Sequence, residues 1–164
     1  MEKRNVTVSA IVAAIVLIGD QLSKHWAETW LRTNGEYKIW DGVLHLRYVE
    51  NRGAAFGMMQ GGKWFFLAIT GIACAAMLYF LIKERKRLHF MMTFSLALLL
   101  SGAIGNLIDR VALGYVRDMI YVALIDFAVF NVADMAVTVG CCLLVLDLLF
   151  FTGKKYMEMM DKKP

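Results

Sequence analysis

Four aspartates, two asparagines and two arginines fall between Gly102 and Asp134, a stretch that joins two very apolar segments. Ionisable groups beside hydrocarbon are expensive and mark function by default. The acidic candidates are Asp109, Asp118, Asp126 and Asp134. Two carboxylates held close cannot both ionise readily, so they share one proton. The ionised member takes a proton from water, and the protonated member polarises a carbonyl and later assists an amine to leave. That is peptide hydrolysis without a metal or a covalent intermediate.

Other chemistries find less support. The histidines His25, His45 and His89 form no HExxH motif, and none lies near the aspartates in sequence. Ser23 and Ser101 lack a GxSxG elbow. Ser23 adjoins Lys24, but neighbouring residues on a helix point to different faces. Cys74, Cys141 and Cys142 lie inside apolar runs without metal-ligand spacing and read as small packing residues. No cofactor is expected.

The elements that must position these groups follow from composition. The chain has 164 residues, 59% of them hydrophobic, with mean hydropathy +0.55. That exceeds the apolar share of a soluble domain and implies an integral membrane protein of one domain. Net charge is +4, with basic residues in short runs beside apolar segments, a pattern of membrane topology rather than nucleic-acid binding.

Four spans are expected, at about 6–26, 64–82, 91–108 and 132–151. The first opens like a secretory signal peptide but lacks an A-x-A site and runs on past Asp20, so it reads as a retained helix ending near Trp26 or Trp30. Asp20 and Lys24 share a face of it, as an ion pair or as a holder of a polar substrate group. Basic residues at the start, at 83–87 and in the tail place both termini in the cytoplasm and regions 31–63 and 109–131 outside. Asn34-Gly35 and Asp41-Gly42 mark turns, and alternation over Leu44 to Tyr48 marks a strand of a small extracytoplasmic β-sheet. Asp118 follows Gly114 in a turn-like connection, and Asn131 caps the last helix with Asp134 at its third position. That placement also admits a plain capping role for both. Asp109 beside Arg110 reads as a pairing or capping residue, Asp126 as a substitute for Asp118, and Asp147 as a group able to pair with a neighbour. The 31–63 and 111–130 regions are candidate lids over the site.

Several motifs then occur together in order. Asp20-Gln21-Leu22-Ser23-Lys24, Asn51-Arg52-Gly53-Ala54-Ala55-Phe56, Gly105-Asn106-Leu107-Ile108-Asp109-Arg110, Gly114-Tyr115-Val116-Arg117-Asp118 and Phe130-Asn131-Val132-Ala133-Asp134 cover nearly the whole chain. This set resembles the bacterial lipoprotein signal peptidases, or signal peptidase II. The resemblance implies a mainly α, polytopic aspartic endopeptidase of the inner membrane. It would cleave diacylglyceryl-modified prolipoproteins just before the lipidated cysteine. Carried over by motif, Asp118 and Asp134 are the catalytic pair. Asp20, Lys24, Asn51, Asn106, Asp109, Arg110 and Asn131 line or brace the site, with Asn51 and Arg110 expected to meet substrate backbone. Partners would be lipidated prolipoproteins and membrane lipid, with the enzyme acting as a monomer. The chain departs from the family where a second Asp-Phe often follows the first aspartate. Tyr121 stands there, and Asp126-Phe127 comes later. A non-enzymatic reading, with aspartates passing protons or cations, would need ionisable groups across the bilayer, and the second and third spans have none.

Overall fold

A computed structural model describes residues 3–53, 63–84 and 88–152. The described residues are mainly helical, with one small sheet. Helix α1 (Lys3–Trp26) passes into a π-helical turn (Ala27–Leu31) and then a single turn, α2 (Arg32–Asn34). Strands β1 (Tyr37–Trp40) and β2 (Leu44–Asn51) follow. Then come α3 (Lys63–Lys83), α4 (Phe90–Ala112), β3 (Val116–Val122) and α5 (Val132–Asp147). Among the described residues, four segments are long and apolar enough to cross a membrane: Val6–Asn34, Trp64–Lys83, Phe90–Ala112 and Val132–Phe151.

The helices are arranged for a lipid surround. On α1 the apolar positions Ile11, Ile15, Ile18 and Leu22 point outward, whereas Asp20 and Lys24, with Ala27 and Leu31 of the π-helical turn that continues it, are buried. Each set recurs at steps of three or four, so the helix has two faces. The polar face is the inner one, the reverse of a helix in water. Helix α4 is the central element and packs against α1, α3 and α5. Gly102 and Gly105 make this possible. A Cβ at Gly102 would lie 2.4 Å from the Ala133 carbonyl, and one at Gly105 would lie 2.6 Å from Asp20 Oδ2. Leu88, Met92 and Leu96 form an apolar cluster at the other end of the bundle.

The sheet is antiparallel, in order β1-β2-β3. Gly42, at φ 72°, turns the first hairpin, and Gly114, at φ 86°, turns the chain from α4 into β3. Val49 pairs with Asp118 and Asn51 with Val116, so β2 carries Asn51 alongside Asp118.

Three local expectations change. The third helix continues past Ile108 to Ala112, which keeps Asp109 and Arg110 on its last turn. The connection after Gly114 is largely strand β3, hydrogen-bonded to β2. The two candidate lids are therefore parts of one sheet rather than separate covers. Ala54, Ala55 and Phe56 lie outside the described residues.

Candidate active site

Asn131 sits where α5 begins, with extended backbone and a complete capping box. Its side chain accepts from Asp134 N at 2.9 Å, and its own N–H donates to Asp134 Oδ2 at 3.1 Å. This satisfies two otherwise orphaned helix-end donors reciprocally. The same side chain does more than cap. Its amide nitrogen donates to Asp118 Oδ1 at 2.6 Å and to Asn106 Oδ1 at 3.1 Å. One residue thus touches both Asp118 and Asp134.

Each aspartate has a second holder. Asn51 Nδ2 donates to Asp118 Oδ2 at 2.9 Å, and Asn51 Oδ1 accepts from Gly53 N at 3.0 Å. Asn106 Nδ2 donates to Asp134 Oδ1 at 2.8 Å. Asp118 is 1% exposed, and Asp134 is half-buried. Burial pushes the Asp118 carboxyl up, Asn51 opposes that, and the charge of Asp134 adds to it, leaving Asp118 at about 7. A carboxyl at that level can hold a proton at neutral pH.

Beneath the pair lies a buried charge cluster. Lys24 is fully buried and donates to Asn106 Oδ1 at 2.9 Å. Its Nζ is 2.8 Å from Asp20 Oδ2 and 3.7 Å from Asp109 Oδ2. Asp20 Oδ1 in turn accepts from Ala133 N at 2.9 Å, which fastens α1 to the first turn of α5. A buried ammonium is tolerable only with such partners. Arg110 donates to the Gly53 carbonyl at 3.4 Å and lies over the Phe66 ring at 5.1 Å.

All nine residues singled out in the sequence meet at this end of the bundle through these contacts. Asp126 does not. It is exposed, in left-handed backbone at φ 47°, and accepts from Tyr121 Oη at 2.6 Å. That pairing gives the departing Tyr121 and Asp126 a joint place in the turn after β3. Asp147 is also elsewhere, fully buried with His89 Nε2 at 2.9 Å from Oδ1.

Sequence reasoning missed Arg117, Gln21 and Glu28. Asp109 pairs chiefly with Arg117 rather than with its neighbour Arg110: Arg117 Nη2 meets Asp109 Oδ1 at 2.7 Å, and Arg117 N meets Oδ2 at 3.0 Å. A basic residue one position before an expected catalytic aspartate was the available signal.

A groove of 410 Å³ runs from Asp134 along Phe127, Phe130, Met135, Thr138 and Val139. The arrangement is therefore a braced carboxylate pair, with the small sheet on one side and an apolar groove on the other.

Comparison with known proteins decides the family. The family described as signal peptidase (SPase) II matches residues 12–150. The chain belongs to the signal peptidase II family. A lipoprotein signal peptidase of Streptococcus thermophilus is 46% identical over 86% of this chain and 92% of its own. The Clostridioides difficile lipoprotein signal peptidase is 43% identical, covering 88% and 97%. A bacterial membrane enzyme solved by the in meso method superposes with TM-score 0.82 at 36% identity, covering 91% of this chain and 92% of that one. This signal peptidase II is thus a multi-pass membrane peptidase with the expected four-helix, small-sheet fold.

Proposed function

We propose that this signal peptidase II works as an aspartic endopeptidase, with Asp118 and Asp134 acting together on water. Its substrate is a prolipoprotein whose cysteine carries diacylglycerol, and the bond cut is the one just before that cysteine. The observation that carries this reading is the double engagement of Asn131, which holds both carboxyls at one site.

The pair holds one proton at neutral pH. The ionised carboxylate removes a proton from water as the water oxygen bonds to the scissile carbonyl carbon. The protonated carboxyl donates to the carbonyl oxygen as charge develops there. Collapse of the tetrahedral species breaks the C–N bond, and the proton taken from water passes to the leaving amine of the lipidated cysteine.

Asn51 and Arg110 supply donors to the peptide backbone of the substrate. Asp20, Lys24, Asn106, Asp109 and Asn131 keep the pair in place. The groove beside Asp134 lets an apolar signal segment reach the carboxylates from the lipid. Positive runs at Lys3 and Arg4, at 83–87 and at Lys154 and Lys155 support cytoplasmic termini and a site at the extracytoplasmic face of the inner membrane.

Incubation of purified protein with diacylglyceryl-modified and unmodified prolipoprotein, each with and without chelator, tests this reading. Mass spectrometry should find one cut, before the cysteine, in the modified substrate only and with chelator present. Cleavage elsewhere, or abolished by chelator, would refute it.

A further inference from the structure

Arg117 occupies a place that neither the carboxylate pair nor its known braces account for. It immediately precedes Asp118 on β3 and is itself 9% exposed. Successive residues of a strand point to opposite faces, so Arg117 and Asp118 are aimed in different directions from one stretch of backbone. The guanidinium makes a fork onto Asp109 of α4, through Nη2 to Oδ1 at 2.7 Å and Nε to Oδ2 at 3.2 Å. Its third nitrogen, Nη1, reaches Glu28 Oε2 at 2.9 Å in the π-helical turn that ends α1. Nη2 also reaches Gln21 Oε1 at 3.3 Å. The backbone at Arg117 is held as well: its N–H donates to Asp109 Oδ2 at 3.0 Å, and its carbonyl accepts from Asn131 Nδ2 at 3.4 Å.

The geometry points to Arg117 as a positioning residue for Asp118. It locks β3 against α4 and against the π-helical turn after α1, at the residue immediately before the aspartate. Because Asp109 Oδ2 lies 3.7 Å from Lys24, and Lys24 bonds Asn106, the same clamp is continuous with the arm that holds Asp134. Arg117 therefore sets where one carboxylate lies relative to the other. A guanidinium suits this role because its rigid fork fixes angle as well as distance, which a lysine ammonium cannot do. Arg117 is buried with its guanidinium committed to Asp109, Glu28 and Gln21, so its loss is expected to lower kcat and to leave KM for the prolipoprotein unchanged.

This inference rests on the reading of Asp118 as catalytic, so Asp118→Asn is assayed beside the variants that test it. Turnover of diacylglyceryl-modified prolipoprotein is measured per folded protein for Arg117→Lys, Arg117→Gln, Glu28→Gln and Arg117→Lys with Glu28→Gln. Arg117→Gln should lower kcat roughly 100-fold and Arg117→Lys about tenfold, each with KM within about twofold of the parent, since a misplacement near 1 Å has such effects. Glu28→Gln alone should cost about threefold and should add little to Arg117→Lys, because both break one clamp. A kcat within about twofold of the parent in both Arg117 variants would overturn the proposal, as would a loss carried by KM or fully multiplicative effects. Where Arg117→Gln does not fold, the lysine variant and the pair with Glu28 decide the matter alone. Full activity in Asp118→Asn would instead remove the reading beneath the inference, and the inference with it.

Discussion

Lys24 Nζ donates to Asn106 Oδ1 at 2.9 Å, and that bond fixes which end of the Asn106 amide faces Asp134. With the oxygen committed to Lys24 and to Asn131, the nitrogen is left to donate to Asp134 Oδ1 at 2.8 Å. An amide turned the other way would put its oxygen against a carboxylate.

Lys24→Met should therefore act at two levels. It leaves Asp20 and Asp109 without their ammonium and releases the Asn106 amide to rotate. Removal of one partner from a buried ion pair costs on the order of 3–5 kcal/mol. Thermal unfolding in detergent should show that loss, and turnover of the remaining folded protein should fall by roughly 100-fold. Unchanged melting and turnover would contradict the hub position of Lys24.

Gly105 tests the packing beneath the hub. A Cβ there would lie 2.6 Å from Asp20 Oδ2, so Gly105→Ala must displace the Asp20 carboxylate. That carboxylate holds both Lys24 and Ala133 N. Turnover should fall about tenfold, with destabilisation of roughly 1–3 kcal/mol from overpacking and weakened hydrogen bonds. Normal activity and melting would show that the carboxylate has room to move.

The pH profile follows from Asp118. With its carboxyl raised to about 7 by burial and by Asp134, its ionisation above neutrality would remove the proton that the proposed pair shares. The kcat/KM ratio should decline above about pH 7, by roughly tenfold per unit, since that ratio reports the free enzyme. Stability moves in the same direction. A folded-state value above the unfolded ~3.9 means that the folded protein binds the extra proton between those two limits. The group's contribution is complete below about pH 4 and is lost as pH rises through about 7. The melting temperature of Asp118→Asn minus that of the parent should therefore increase from pH 5 to pH 8, measured by scanning fluorimetry with pH as the only variable. A difference that shrinks over that range would contradict the account.

Asp126 supplies the contrast. Its carboxylate is exposed and bound to Tyr121 Oη, in a turn with no contact to Asn51, Asn106 or Asn131 among the described hydrogen bonds. Asp126→Asn and Tyr121→Phe should each keep turnover within about twofold, as surface changes do. A large loss in Asp126→Asn would mean that the turn takes part in catalysis.

The legible and illegible parts of this chain divide on physical grounds. Spans of uninterrupted apolar residues announce themselves, and Asn131 with Asp134 at the helix entrance is a local signal contained in four consecutive residues. Asp20 and Lys24 could be placed on one face because helix periodicity is local too. Strand β3 was hidden because Val116 to Met119 are all buried, which erases the alternation that identified β2. The continuation of α4 to Ala112 was hidden because charge normally ends a span, whereas Asp109 here is satisfied by Arg117. Arg117 itself was illegible as a clamp, since Glu28 and Gln21 are 89 and 96 residues away. The family resemblance located the motif residues, but it could not reveal a contact to a residue outside the motifs' fixed positions.

The central claim is that Asp118 and Asp134 perform hydrolysis together. The most direct test is single-turnover cleavage of diacylglyceryl-modified prolipoprotein by the parent, Asp118→Asn, Asp134→Asn and Asp126→Asn, each matched for folded protein. The account predicts loss of at least about 1,000-fold in the first two variants and none beyond about twofold in the third. Asp118→Asn with parental turnover, above all beside an inactive Asp126→Asn, would contradict it and move the acid–base pair elsewhere.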